Sequence, residues 1–119
     1  MRNDKENLIV KLTIDFALEI IEYCELLESK RKFIIANQLL KSGTSIGANV
    51  HEAQNAESKA DFIHKIKIAV KEADETDYWL TLCKLSTKHP NPEGLETKVT
   101  SIINVLSKII SSSKHKSSQ

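Results

Sequence analysis

Apolar residues recur along this chain at steps of three and four, the spacing that gathers side chains on one face of an α-helix. The first series runs Ile9, Leu12, Phe16, Ile20, Tyr23 and Leu27, with Ala17, Ile21 and Cys24 widening one flank. Asp15, Glu19, Glu22, Glu25 and Glu28 fall largely on the opposite face. The pattern predicts a helix over residues 5–29, and Ser29-Lys30-Arg31-Lys32 then interrupts it with positive charge suited to a helix C-terminus. A second helix is expected over 33–56 on Ile35, Leu39, Ser42, Ile46, Asn49, Ala53 and Ala56, a stripe rich in small and polar residues. Gly43 and Gly47 lie four apart on it, each costing a helix interior about 1 kcal/mol relative to Ala. A neighbouring backbone packed closely against them would offset that cost.

Ser58 followed three residues later by Asp61 has the form of a capping box, with Asp in place of Glu or Gln. It opens a third helix, expected over 59–87, on Phe62, Ile66, Ala69, Ala73, Thr76, Leu80 and Cys83, flanked by Ile63, Val70 and Trp79. In His89-Pro90-Asn91-Pro92, Pro90 stops one helix, Asn91 can cap the next and Pro92 suits its first position. A fourth helix over 92–112 follows from Leu95, Val99, Ile102, Leu106 and Ile109, backed by Ile103 and Ile110. The expected fold is all-α, an antiparallel up-down four-helix bundle over residues 1–113, with 114–119 as a flexible polar tail.

Composition agrees with one helical domain. The chain has 119 residues, enough to bury a core without staples, and only three Gly and two Pro to make turns. With 17 basic and 16 acidic residues, the formal charge is +1, so bulk charge does not announce a nucleic-acid partner. No apolar run approaches a membrane span, and Met1-Arg2-Asn3-Asp4-Lys5-Glu6 has no signal-peptide stretch, so a cytoplasmic location off the membrane is expected. Cys24 and Cys83 read as small buried hydrophobes; a disulfide between the parallel first and third helices is the alternative, disfavoured in a reducing compartment.

Signatures of catalysis and cofactor binding are missing. No Glu is followed three residues later by His, as a dimetal bundle requires, and His51-Glu52 has Asn55 where a zinc-protease motif needs a second His. Gly43-Thr44-Ser45-Ile46-Gly47 lacks the Lys-Ser/Thr of a phosphate loop. Ser45 and His51 stand six apart, on different helix faces, with no third group to orient a base. No enzymatic role, cofactor or metal is expected. Asn49, Glu52, Glu72 and Glu75 stand on or beside the apolar stripes, either solvated at the stripe edge or joined in an interhelical polar network. Lys71 and Glu75 are spaced for an i,i+4 pair.

The run from Gln38 to Ala53, Gln-Leu-Leu-Lys-Ser-Gly-Thr-Ser-Ile-Gly-Ala-Asn-Val-His-Glu-Ala, resembles the bacterial four-helix-bundle family named for the 23S rRNA intervening sequence. So do Ser58-Lys59-Ala60-Asp61-Phe62, the stretch from Ala69 to Leu80, and Phe16-Ala17 with Ile20-Ile21. The fourth helix resembles that family only in its apolar pattern. The resemblance implies a small bundle assembled into a homopentameric ring, in some members associated with nucleic acid through a basic surface. Many members carry Arg where this chain has Lys41, and several carry Pro near Gly47; Lys keeps the charge but not the planar fork.

Two functions from different classes follow as expectations. The first is binding of structured RNA or DNA through Lys30, Arg31, Lys32, Lys41, Lys65, Lys67 and Lys71, with Lys114 and Lys116 of the tail. A ring would multiply each cluster. No aromatic residues interleave with these cations, so single-strand stacking is not indicated. The second is a protein-assembly scaffold with a protein partner, for which Tyr78 or Trp79 could supply an exposed patch, if they are not consumed by core or intersubunit packing.

Overall fold

A computed structural model describes the backbone of residues 4–117 and the side chains of residues 8–114. Four helices follow in order: α1 (Asp4–Ser29), α2 (Phe33–Ala53), α3 (Lys59–Leu85) and α4 (Leu95–Ser117). No strand occurs among the described residues.

Each turn has an identifiable local cause. After α1, Arg31 N–H donates to Glu28 O at 2.9 Å and Lys32 N–H to Leu27 O at 2.9 Å, which satisfies carbonyls left over at the helix end. That closure requires a left-handed residue, and Arg31 supplies it with φ of 63°. After α2, the N–H groups of Gln54, Asn55 and Ala56 bond three residues back and tighten the chain into α3. The Ser58 hydroxyl accepts from Asp61 N–H at 3.0 Å, as the capping pattern anticipates. The return bond differs: Asp61 Oδ2 accepts from Glu57 N–H at 3.3 Å rather than from Ser58.

The α3–α4 connection departs from expectation. Asn91 Oδ1 accepts from Glu93 N–H at 2.9 Å and so caps a turn, not a helix. Glu93 and Gly94 then take φ of 49° and 85°, and two successive left-handed residues delay α4 to Leu95. At its other end α4 continues to Ser117, through most of the segment expected to be tail; residues 118 and 119 lie outside the described chain.

Every helix packs on its sequence neighbours and α4 closes back on α1, while the diagonal pairs stay apart. This is the up-down bundle, drawn out to 52 × 22 × 20 Å. The predicted stripes of α1, α3 and α4 supply much of the core: Ile9, Phe16, Ile20 and Leu27 are buried in one cluster with Ile66, Leu80, Val99 and Leu106. On α2 the buried line runs through Ala36, Leu39, Ser42, Gly43, Ile46, Val50 and Ala53, displacing Ile35 and Asn49 to its edge. The glycines explain the shift. A Cβ on Gly43 would lie 2.8 Å from Ile20 Cγ2, and one on Gly47 would lie 3.3 Å from Thr13 Cβ, so α2 turns its bare backbone towards α1.

Both cysteines are buried free thiols. Burial, and then the carboxylate of Glu28, pushes the Cys24 thiol up to about 12. Tyr23 is buried beside them and donates its hydroxyl to Pro90 O, pinning the α3–α4 connection onto α1. Burial, and then the neighbouring Cys83, drives the phenol far above its ordinary range.

Candidate nucleic-acid interface

The expected basic residues divide between the two ends of the bundle. Lys30, Arg31 and Lys32 form the α1–α2 turn, whereas Lys65, Lys67 and Lys71 lie in the N-terminal half of α3, which points to the other end. Lys41 stands exposed about 14 Å along α2 from Lys32, by the helical rise. One bundle therefore does not gather these cations into a single patch.

Their pairing separates them further. Lys65 Nζ reaches Glu52 Oε1 at 3.0 Å, an ion pair between α3 and α2 that raises its pKa. The other ion pairs among the described residues join Lys11 to Asp15, Lys84 to Glu96 and Lys98 to Glu19. Lys30, Arg31, Lys32, Lys41, Lys67 and Lys71 have no carboxylate partner among the described residues. Lys67 meets a like charge instead: the ammonium of Lys114 on α4, expected in the tail, lowers the Lys67 pKa. Lys116 lies outside the described side chains.

Asn49, Glu52 and Glu75 each take a separate partner rather than joining a network. Asn49 Nδ2 donates to Ser45 O at 2.9 Å within its own helix, and Glu52 takes Lys65. Glu75 Oε2 accepts from Trp79 Nε1 at 3.1 Å, so the Lys71–Glu75 pair is not formed. Glu72 is half-buried, and its backbone carbonyl accepts from Thr76 Oγ1 at 2.7 Å. The buried polar link between helices is a different one: the hydroxyls of Ser42 and Thr76 meet at 2.9 Å across α2 and α3. Ser42 and Thr76 sit on the predicted stripes, and two hydroxyls facing each other from stripe positions were the available signal.

Two clefts lined by described residues bear on the site. One, of about 320 Å³ between α1 and α4, is lined by Leu12, Phe16, Asp15 and Thr97 and bridged by the Glu19–Lys98 pair. The other, of about 400 Å³, lies where the α1–α2 turn meets the α3–α4 connection, against Arg31, Lys32, Phe33, Ile34, Ile35 and His89. It contains no acidic side chain. The N-cap position of α2 is Lys32, whose side chain caps nothing, and the first turn carries no acid. No group of three His, Cys, Asp or Glu among the described residues converges as metal ligands would.

The model of the 23S rRNA-intervening sequence protein family matches residues 5–112. The chain belongs to that family. A protein of unknown function from the S23 ribosomal protein family of Bacteroides thetaiotaomicron has a similar crystal structure, 40% identical with a TM-score of 0.85. The match covers 90% of this chain and 98% of that one. No curated protein matches significantly.

The match to the intervening-sequence protein family reaches into all four helices, running through α4 as far as residue 112. Neither the family description nor the structural neighbour indicates an enzyme. No helix among the described residues is long and apolar enough to cross a membrane. Tyr78 is 57% exposed and touches Trp79 edge to face with ring centroids 5.2 Å apart, so it belongs to the surface rather than the core.

Proposed function

We propose that this protein is a non-enzymatic, oligomeric four-helix bundle that binds structured RNA or DNA through its basic residues. The observation that carries the reading is that six of the cations expected at the interface have no carboxylate partner among the described residues: Lys30, Arg31, Lys32, Lys41, Lys67 and Lys71. Of the seven cations expected at such an interface, only Lys65 is held by a carboxylate, which leaves the other six to meet phosphate. Lys67 beside Lys114 adds a like-charge contact that a phosphate would relieve. Neutralising such contacts releases counterions, so affinity must fall steeply as salt rises.

The test is a titration of nuclease-treated protein with a structured RNA and a duplex DNA at two salt concentrations. Binding should collapse at the higher salt. Lys67→Gln with Lys71→Gln should weaken it and reduce the salt slope by about one per lost phosphate contact. Lys11→Gln, which removes a cation already paired with Asp15, serves as the control. Absence of binding at low salt overturns the reading. The second reading, a protein-assembly scaffold, draws on the exposed Tyr78 and on the apolar outer face of α1; apolar docking would be insensitive to salt.

A further inference from the structure

We propose that the cleft at the α1–α2 turn binds a nucleoside monophosphate unit, either a free mononucleotide or the 5′-phosphorylated end of a strand. The inference rests on the nucleic-acid reading for its ligand class and assigns that ligand a specific place. Three side chains that can carry positive charge, Arg31, Lys32 and His89, converge from two separate connections on a cleft of about 400 Å³ without an acid on its walls. Ser86 Oγ, 2.7 Å away, holds His89 Nδ1, leaving Nε2 as the ring nitrogen open to a ligand. An anion in the cleft therefore meets donors and no repelling carboxylate.

The walls also specify what the anion is attached to. Phe33, Ile34 and Ile35 form the remaining lining, with Phe33 half exposed and Ile34 83% exposed. A bare phosphate would leave these surfaces in water, whereas a flat heterocycle joined to the phosphate would cover them. Its stacking partner would be Phe33, which adjoins Lys30–Lys32 and corrects the expectation that no aromatic stands among these cations. Terminal phosphates suit the site better than internal ones. A monoester presents more unshared oxygens and more charge to an arginine fork than a diester does. The orphan amides at the start of α2 add to the same polarity without being needed to define it.

The position of Arg31 provides a clean variant. Its φ of 63° is one that glycine adopts without strain, so Arg31→Gly removes the guanidinium and keeps or improves the turn. Adenosine 5′-monophosphate, adenosine and inorganic phosphate are each titrated into the intact protein, followed by backbone and side-chain NMR. The monophosphate should shift Phe33, Ile35 and His89 at submillimolar to millimolar concentration, and more tightly than either fragment alone. Arg31→Gly, and separately Phe33→Leu, should weaken it about tenfold with the fold intact. No shift at these residues overturns the proposal, as does phosphate binding as tightly as the nucleotide or an unaffected Arg31→Gly. An RNA hairpin with and without its 5′-phosphate separates this result from the broader reading. Equal binding of both hairpins excludes the strand end as the source and, with no mononucleotide bound either, sinks the site while leaving nucleic-acid binding in place. Mononucleotide binding with neither hairpin bound at low salt does the reverse.

Discussion

Single atoms decide several positions in this bundle. Gly43 pays for its poor helix propensity by admitting Ile20, whose side chain is fully buried and has nowhere to retreat. Adding a methyl there improves propensity by about 1 kcal/mol but forces a contact of 2.8 Å, and overpacking of this kind costs about 1–3 kcal/mol. Gly43→Ala should therefore lower the urea midpoint. Gly47→Ala, facing Thr13 at 3.3 Å, should be nearly neutral because the two effects are closer in size. The Ser42–Thr76 contact predicts a different signature. Each hydroxyl has one hydrogen; with that of Thr76 given to Glu72 O at 2.7 Å, that of Ser42 closes the pair. Thr76→Val then leaves the buried Ser42 hydroxyl only Leu39 O, a weak partner at 3.5 Å, at a cost of about 1–3 kcal/mol, whereas adding Ser42→Ala should recover most of the loss. A double-mutant cycle in denaturant measures the coupling.

The helices hold together at their ends through groups whose titration makes stability depend on pH. Tyr23 on α1 grips Pro90 of the α3–α4 connection, with Cys24 and Cys83 buried nearby. All three have pKa values raised by burial first, so the folded state keeps protons that the unfolded chain releases. Their contribution is intact below the unfolded values and is lost as pH rises through them. Cys24 should act between about 9 and about 12, and Tyr23 from about 10 upward, each at up to about 1.4 kcal/mol per pH unit. Denaturation followed from pH 8 to 11 should show the decline, as order-of-magnitude steps; Cys24→Ala and Tyr23→Phe should each flatten it. At this scale the fold was largely legible. The stripes of α1, α3 and α4 were readable because one buried face at steps of three and four is all an antiparallel bundle demands of each helix. The start of α4 was not, because Asn91 caps equally well a turn or a helix, and nothing local announces two left-handed residues at Glu93 and Gly94. The cations were visible as residue types, but their partners depend on helix rotation: Lys65 finds Glu52 across a helix boundary, and Trp79 takes Glu75 from Lys71.

The whole molecule leaves an apolar surface that one bundle does not use. Ile14, Leu18 and Ile21 follow one another at helical spacing on α1 and are 55%, 58% and 39% exposed; Leu40, one turn from Gly43 on α2, is 38% exposed. Their own core is already filled, so only another molecule could cover them, and the proposed oligomer would supply a second copy of the chain. Light scattering of the native protein should then give a multiple of the 13.4 kDa chain mass, five times it for the pentamer that the family resemblance implies, whereas a monomer at micromolar concentration would remove the ring. Leu18→Lys tests the face directly. Because Leu18 is mostly solvated in the single bundle, the charge should leave the helical circular dichroism unchanged while splitting the assembly. The same substitution bears on nucleic-acid binding. Adding a cation favours phosphate locally, so any loss of affinity in Leu18→Lys cannot come from its own charge. It must come from losing the repeated clusters at Lys30–Lys32 and Lys67–Lys71, whose combined field a ring presents and a monomer does not. A split assembly that binds as tightly as the native protein would mean that each bundle acts alone.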